Sequence, residues 1–594
     1  MKTSVEIKAE KSAASSAPRW WHVQQLEAQG CTADDWNAVT IEEGTDLRLL
    51  RNVDFIGSNH VGLLDREKWP GCMLKNLTAE NCSFGKGVRI CNVSGILKNV
   101  KVGDEAVIEN VGRIEYEPEA TCGIGQQVAV LDETGSRPVA IYPGLSAQTA
   151  ALMAREPKIA EEKIIPQAMQ HCEENCSPGM IGEKAEIKDC GTLFNVSVGR
   201  EVKIFGARRL ANGSIINNAA PGRCLAFVGS GVDADGFIIE DGIVDAGVFL
   251  RNVYVGQGAR LEKGFTAHDS LFFANCSMEN GEACALFAGP YTVSMHKGSL
   301  LIGCQTSFMN AGSSTNQSNH MYKLGPVHWG VLERGVKTSS NSYLMLGANI
   351  GAFSLLMGQH KTHPNSTEFP FSYLFGDSQG ATVVVPAVML RSCGLMRDEM
   401  KWPTRDRRLK RKLPHNDRII FEVLTPYTVG RMMDALDTIE ELLKLPTDDD
   451  RFLRYKGMKI SRSSLERAKK LYTVAIYKYL DRKLEEGKFP LAKEEKPELT
   501  DEHWVDVAGL IMPRYVLNSA LEAESIRERE EIFDRYYEEY TEIEKAWIAG
   551  RFDEKWRKTP EEISMLAAEF DQIVETDRTG YLESLQGETE MLKL

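Results

Sequence analysis

No run of about 18 apolar residues occurs anywhere in these 594 residues, so the sequence offers no membrane-spanning helix. Positive charge is not in excess either. The 70 basic residues face 84 acidic ones, and the net charge of −14 argues against a general nucleic-acid binder. The opening MKTSVEIKAE lacks the apolar stretch of a secretory signal, and a soluble cytoplasmic protein is the expectation. Phosphate loops are missing: there is no GxxxxGK(S/T), and Gly123-Ile-Gly125-Gln-Gln-Val128 lacks the third glycine of the dinucleotide fingerprint. The glycine-rich N-terminal signature of sugar nucleotidyltransferases is absent as well. Of thirteen cysteines only Cys172 and Cys176 stand close together, without a second pair at zinc-site spacing, so no metal is expected.

Glycine and cysteine both thin out along the chain. Only seven of the fifty glycines fall in 415–594, and no cysteine follows residue 393. The two parts must therefore be built differently. The last part reads as helix: MMDALDTIEELLKL and LERAKKLYTVAIYKYLDRKLEE carry apolar residues three and four apart, with charges between. Thr559-Pro560-Glu561-Glu562 is a helix start, with a capping hydroxyl, a first-position proline and a glutamate three residues on.

The first part carries a repeat of six. Phe84, Ile90, Ile96, Val102, Ile108 and Ile114 form one run. Ile181, Ile187 and Leu193 continue, after a slip of one, as Val198, Ile204, Leu210 and Ile216. A third run holds Val232, Ile238, Val244 and Leu250, then Val255, Leu261, Ala267 and Phe273. Six is neither the helical period nor plain strand alternation. It suits short strands that bend at corners, each aiming one large side chain at a common axis, with three strands per coil and coils stacked as a solenoid.

These hexads, with aliphatic-glycine pairs such as Val102-Gly103 and Val198-Gly199, resemble the hexapeptide-repeat, left-handed parallel β-helix superfamily. The whole chain also resembles an uncharacterised family of long bacterial β-helix proteins with a helical C-terminal region. The fold expected is a mainly β solenoid, a left-handed parallel β-helix with a helical insertion and an all-α C-terminal domain. The expected parts are an N-terminal helical cap (1–45), a first β-helix stretch (46–115) and a partly helical insertion projecting from it (116–180). A second β-helix stretch (181–400), a basic linker (401–414) and the helical domain (415–594) follow. The linker holds seven basic residues between Lys401 and Lys412 and reads as a solvated run.

Chemistry concentrates in 294–377, where five of the eleven histidines fall. TNQSNHMYKLGPVHWG, from Thr315, fits neither helix nor strand and reads as loop on a stiff support. The resemblance implies a transferase of the hexapeptide acyltransferase type acting on a sugar or nucleotide-sugar. In that reading His328 or His320 is the general base and acyl-CoA the donor. Asn316, Asn319, Lys323, Arg334, His360, Lys361 and His363 would bind substrate. The rival reading is a carbohydrate- or nucleotide-binding scaffold without catalysis. A homo-oligomer, with a trimer favoured, is implied by the same resemblance, with neither nucleic acid nor membrane as partner.

Overall fold

The computed structural model describes residues 15–175, 179–319, 328–446, 452–487, 503–552 and 556–591. Two compact units divide the chain. One joins Met1–Ile124 to Cys176–Arg251, and the other joins Gly125–Asn175 to Asn252–Leu594. Both are dominated by short strands paired in parallel, which is consistent with a solenoid, and helices gather toward the C-terminus of the second.

In the first unit the repeat of six becomes a set of parallel ladders. Val102 lies beside Phe84 and Ile181, Ile108 beside Ile90 and Ile187, and Ile114 beside Leu97 and Leu193. Each of these side chains is buried. Four hexad positions miss by one residue. Ile96 is half-buried while Leu97 takes the inward place, and Ile215 replaces Ile216 in the same way. Ile239 stands beside Ile215 where the spacing predicts Ile238, and in the second unit Phe272 stands beside Ala288 where it predicts Phe273. Between Ile90 and Leu97 the corner holds one extra residue, and the shorter step to Val102 restores the phase.

Corners are set by asparagine. Asn52, Asn76, Asn92 and Asn110 have φ of 51°, 57°, 59° and 55°, a left-handed conformation that asparagine tolerates better than most residues. Their side-chain amides stack into a ladder: Asn52 donates to Asn76 at 3.0 Å, Asn76 to Asn92 at 2.8 Å and Asn92 to Asn110 at 3.1 Å. Asn110 donates in turn to Asp189 at 2.9 Å, so the ladder passes over the gap left by the insertion. Helix Trp20–Ala28 forms within the region expected as a helical cap.

The second unit keeps parallel pairing, with Phe272, Ala288, Thr306, Leu332 and Ile350 in one register line. The insertion does not project. Leu131 donates its N–H to Ala285 at 2.8 Å, the Tyr254 hydroxyl donates to Leu145 at 3.1 Å, and Arg137 lies 4.3 Å above the Trp329 ring. Ala147 to Ala154 of helix Ala147–Arg155 are all buried, because their mostly small side chains allow close approach. Asp417 ties the N-terminus of that helix to the strands, accepting from the N–H groups of Ala147 at 2.7 Å and Ala274 at 2.8 Å.

The basic run is folded rather than a solvated linker. It lies in helices Cys393–Thr404 and Arg407–Arg411. Arg408 pairs with Asp406 at 2.8 Å, each side chain only 2 % exposed, and Arg407 donates to the Gly258 carbonyl at 2.6 Å. Nor is the C-terminal region wholly helical. Helices Pro426–Leu442, Arg462–Glu485, Arg514–Glu522, Ile526–Arg551 and Pro560–Met591 are joined by the hairpins Phe452–Tyr455/Met458–Ser461 and Trp504–Val507/Leu510–Pro513. Met458 also pairs in parallel with Thr382, which adds the first hairpin to the sheet. The start at Thr559 is a reciprocal box: Glu562 donates its N–H to the threonine hydroxyl at 3.3 Å and accepts from the Thr559 N–H at 2.9 Å. Among the described residues no helix is long and apolar enough to cross a membrane.

Candidate functional site

The residues singled out in 294–377 do not form one site. His320 and Lys323 lie outside the described residues. Asn316 is exposed at the start of strand Asn316–Ser318, and its N–H donates to Ser342 at 2.8 Å. Lys361 is exposed, lies along Gly380 and donates its N–H there at 2.8 Å. His360 is an interior side chain. It pairs in register with Leu344, has no exposed surface, and its Nδ1 meets the Thr382 hydroxyl at 2.9 Å. Burial pushes its imidazole down to about 4, so it is neutral near pH 7.

Asn319, His328 and His363 do come together. The His328 N–H donates to the Asn319 carbonyl at 2.8 Å, and the two imidazole rings are 5.3 Å apart. Gly347, at φ 95°, makes room for His363: a Cβ there would come within 2.6 Å of Nδ1. Glu133 of the insertion accepts from the Asn319 amide and, at 3.1 Å, from the Cys284 thiol. Burial and this carboxylate push that thiol up to about 12, which leaves it unreactive. Among the described residues no three His, Cys, Asp or Glu side chains are placed to hold a metal ion.

Arg334 belongs to a different place, a partly open cavity of about 90 Å³. Five separate stretches of chain build it. Arg155 comes from the last turn of helix Ala147–Arg155, Gln305 to Ser307 and Val331 to Arg334 from the strand region, and Tyr427, Arg431 and Asp506 from the C-terminal part. Arg334 is 1 % exposed, and its guanidinium lies 4.9 Å from the centre of the Phe308 ring. That ring is fixed by stacking on Tyr291, 5.4 Å away and nearly parallel. The Arg334 Nη2 donates to the Ile420 carbonyl, whereas Nε and Nη1 find no hydrogen-bond partner among the described residues.

The other charges are better satisfied. Arg431 pairs with Glu333 at 3.1 Å and donates to the Thr367 carbonyl. Glu333 accepts from the Ala352 N–H at 3.0 Å, and burial holds its carboxyl above the usual range. Arg155 donates to Gln305 at 2.7 Å and to the Asp506 carbonyl at 3.3 Å. Asp506 itself accepts from the Gly509 N–H at 2.7 Å. Chemically the arrangement can bind and orient an anionic group. Arg155, Tyr427, Arg431 and Asp506 escaped the sequence reading, because no motif or spacing links positions so far apart. The adjacent Glu333 and Arg334 were the one local signal.

Residues 20–443 match a family model described as a domain of unknown function, DUF4954, and residues 491–582 match a second, DUF6819. The chain is 23 % identical over 470 residues to an uncharacterised protein of Treponema pallidum, an alignment covering 73 % of this chain. It spans 63 % of the length of that relative.

Proposed function

Because the chain belongs to the DUF4954 family, whose description assigns no activity, we propose from geometry that it is a ligand-binding protein built on a left-handed β-helix. The ligand is carbohydrate- or nucleotide-derived, and one end of it enters the cavity around Arg334. One observation carries this reading: a guanidinium buried at the cavity wall with two nitrogens that lack a hydrogen-bond partner among the described residues, in a place lined by five separate stretches of chain. A buried cation with unmet donors is costly, and binding sites are where such costs persist. The handedness rests on the resemblance carried by the hexads.

The test is a thermal-shift screen of the full chain against sugars, nucleotide sugars and CoA thioesters, repeated on Ser307→Leu, which fills the cavity. A shift lost in that variant supports the reading. Shifts that survive filling place the ligand elsewhere and overturn it. A second reading, an acyltransferase acting on a sugar or nucleotide-sugar with acyl-CoA as donor, is favoured by the His328–His363 pair. Acyl transfer that disappears in His328→Ala would establish it. The resemblance also suggests a cytoplasmic trimer, and light scattering at the 66.2 kDa of one chain would reject the trimer.

A further inference from the structure

Resting on the reading of the Arg334 cavity as a ligand site, we propose that it takes a carboxylate: the ligand presents one singly charged oxyanion to Arg334, between Arg155 and Arg431. A guanidinium carries five N–H donors and is never deprotonated in a protein. Among the described residues, the side-chain hydrogen bond from Arg334 goes to the neutral Ile420 carbonyl. Its nearest carboxylate, Asp506, stands 3.9 Å from Nε, beyond hydrogen-bond reach. The ring of Phe308 holds the guanidinium from one side, so its position does not depend on a charged partner.

Charge selects the class. Three guanidinium groups line the cavity against two carboxylates, leaving one positive charge uncompensated. Glu333 pairs its carboxylate with Arg431, and Arg155 donates to two neutral oxygens, those of the Gln305 amide and the Asp506 carbonyl. A single negative charge restores balance and supplies acceptors to the unpaired nitrogens. A phosphate dianion would bring an excess negative charge beside Asp506 and Glu333. Size points the same way: about 90 Å³ admits a carboxylate with a few further heavy atoms and not a whole nucleotide. The rest of a larger ligand would extend toward solvent.

Glucuronate, glucose and glucose 6-phosphate share a ring and differ at one carbon, as carboxylate, hydroxyl and phosphate. Calorimetric titration and thermal shift of the full chain with these three, and with acetate at tens of millimolar, test the class. Glucuronate or acetate is expected to bind and raise Tm, glucose not to, and glucose 6-phosphate to bind more weakly than glucuronate. Arg334→Met should weaken carboxylate binding by about tenfold or more, the loss of a charge-assisted hydrogen bond. The same variant should leave the Tm of the unliganded protein unlowered, which a purely structural arginine would not do. If Arg334→Met does not fold, Arg155→Gln, at a half-buried position, reads the loss of affinity instead.

Carboxylates that bind no better than glucose, or equally well to Arg334→Met and Arg155→Gln, overturn the proposal. If glucose or the phosphate then gives a shift that Ser307→Leu abolishes, the cavity remains a ligand site of another class. If no probe responds to Ser307→Leu, the ligand reading falls with the carboxylate.

Discussion

The interiors of the two units are filled differently, although strands in both pair in parallel. In the first, Phe84, Ile90, Leu97, Val102, Ile108 and Ile114 are buried with no polar side chain among them. In the second, Ser294 lies beside Met278, Thr306 between Ala288 and Leu332, Thr338 beside Leu356, and His360 beside Leu344. Gln317 shares the line of Leu344 and His360. Four of these polar side chains have a buried atom without a hydrogen-bond partner among the described residues: Ser294 Oγ, Thr306 Oγ1, Gln317 Nε2 and His360 Nε2. Each such atom costs about 1–3 kcal/mol of desolvation. An aliphatic column needs only its neighbouring rungs. The polar one is accompanied, within its own unit, by the buried insertion helix, the Asp417 tie and the Arg408–Asp406 pair, all of which add packing and satisfied charge.

The strongest way to break this comparison is to place a charge in the aliphatic column. Val102→Asp buries a carboxylate with only apolar neighbours in its line, Phe84 and Ile181. We expect loss of soluble folded protein, since such changes belong to the rare class above about 4 kcal/mol. A Val102→Asp chain with a normal cooperative melt would show that the column is not a sealed apolar core.

Next in size is the ion pair that anchors the former linker. Arg408→Gln leaves Asp406 buried without its cation, and about 3–5 kcal/mol of stability should be lost in urea denaturation of the full chain. Asn275 still donates to Asp406 at 2.9 Å, which favours the lower end of that range. Changing the exposed Lys410 and Arg411 instead should alter stability by no more than about 0.5 kcal/mol. An equal effect from both sets would return the segment to the role of a solvated run.

His360 makes the polar column of the second unit sensitive to acid. Its folded value of about 4 lies below the ordinary 6.5, so the unfolded chain binds more protons between those values. The stability that His360 contributes is present above pH 6.5 and is lost as pH falls toward 4. The full difference amounts to about 3 kcal/mol, an upper figure for so buried a group. His360→Leu should remove that part of the acid sensitivity, read as a smaller drop in Tm from pH 7 to pH 5 than in the wild type. An unchanged pH profile would mean that water reaches the imidazole.

How far the sequence could be read depended on whether its signal was local. Hexads located most inward positions, because a side chain aimed at the axis must recur at nearly constant spacing. They missed Leu97, Ile215, Ile239 and Phe272, because a corner can absorb or drop a residue without disturbing the ladder. His360 was read as a ligand for its chemistry, although it stands sixteen residues after Leu344, a near-coil spacing that marked an interior place. The insertion looked separable because it stands between two blocks of hexads, yet the mostly small residues of helix Ala147–Arg155 let nearly all of that helix be buried. The cavity was the least legible part: Arg155, Arg431 and Asp506 meet only through tertiary packing.

The smallest expected effect is the sharpest on the comparison itself. Thr306 is 2 % exposed, and its hydroxyl is one of the orphans in the line of Ala288, Leu332 and Ile350. Thr306→Val keeps the branched shape and exchanges that hydroxyl for a methyl group. If the interior is dry there, the desolvation cost disappears and the variant should gain up to about 1 kcal/mol. If an ordered water bridges Thr306 to its neighbours, the exchange breaks a hydrogen bond and stability falls by a similar amount. Val102→Thr, the reverse exchange in the first unit, should lose about 1–3 kcal/mol, because nothing polar lies in the adjoining rungs. Opposite signs for the two exchanges would show a dry interior around both positions. A loss in both would show instead that the second unit keeps water inside its polar column, and that the two interiors differ in hydration as well as composition.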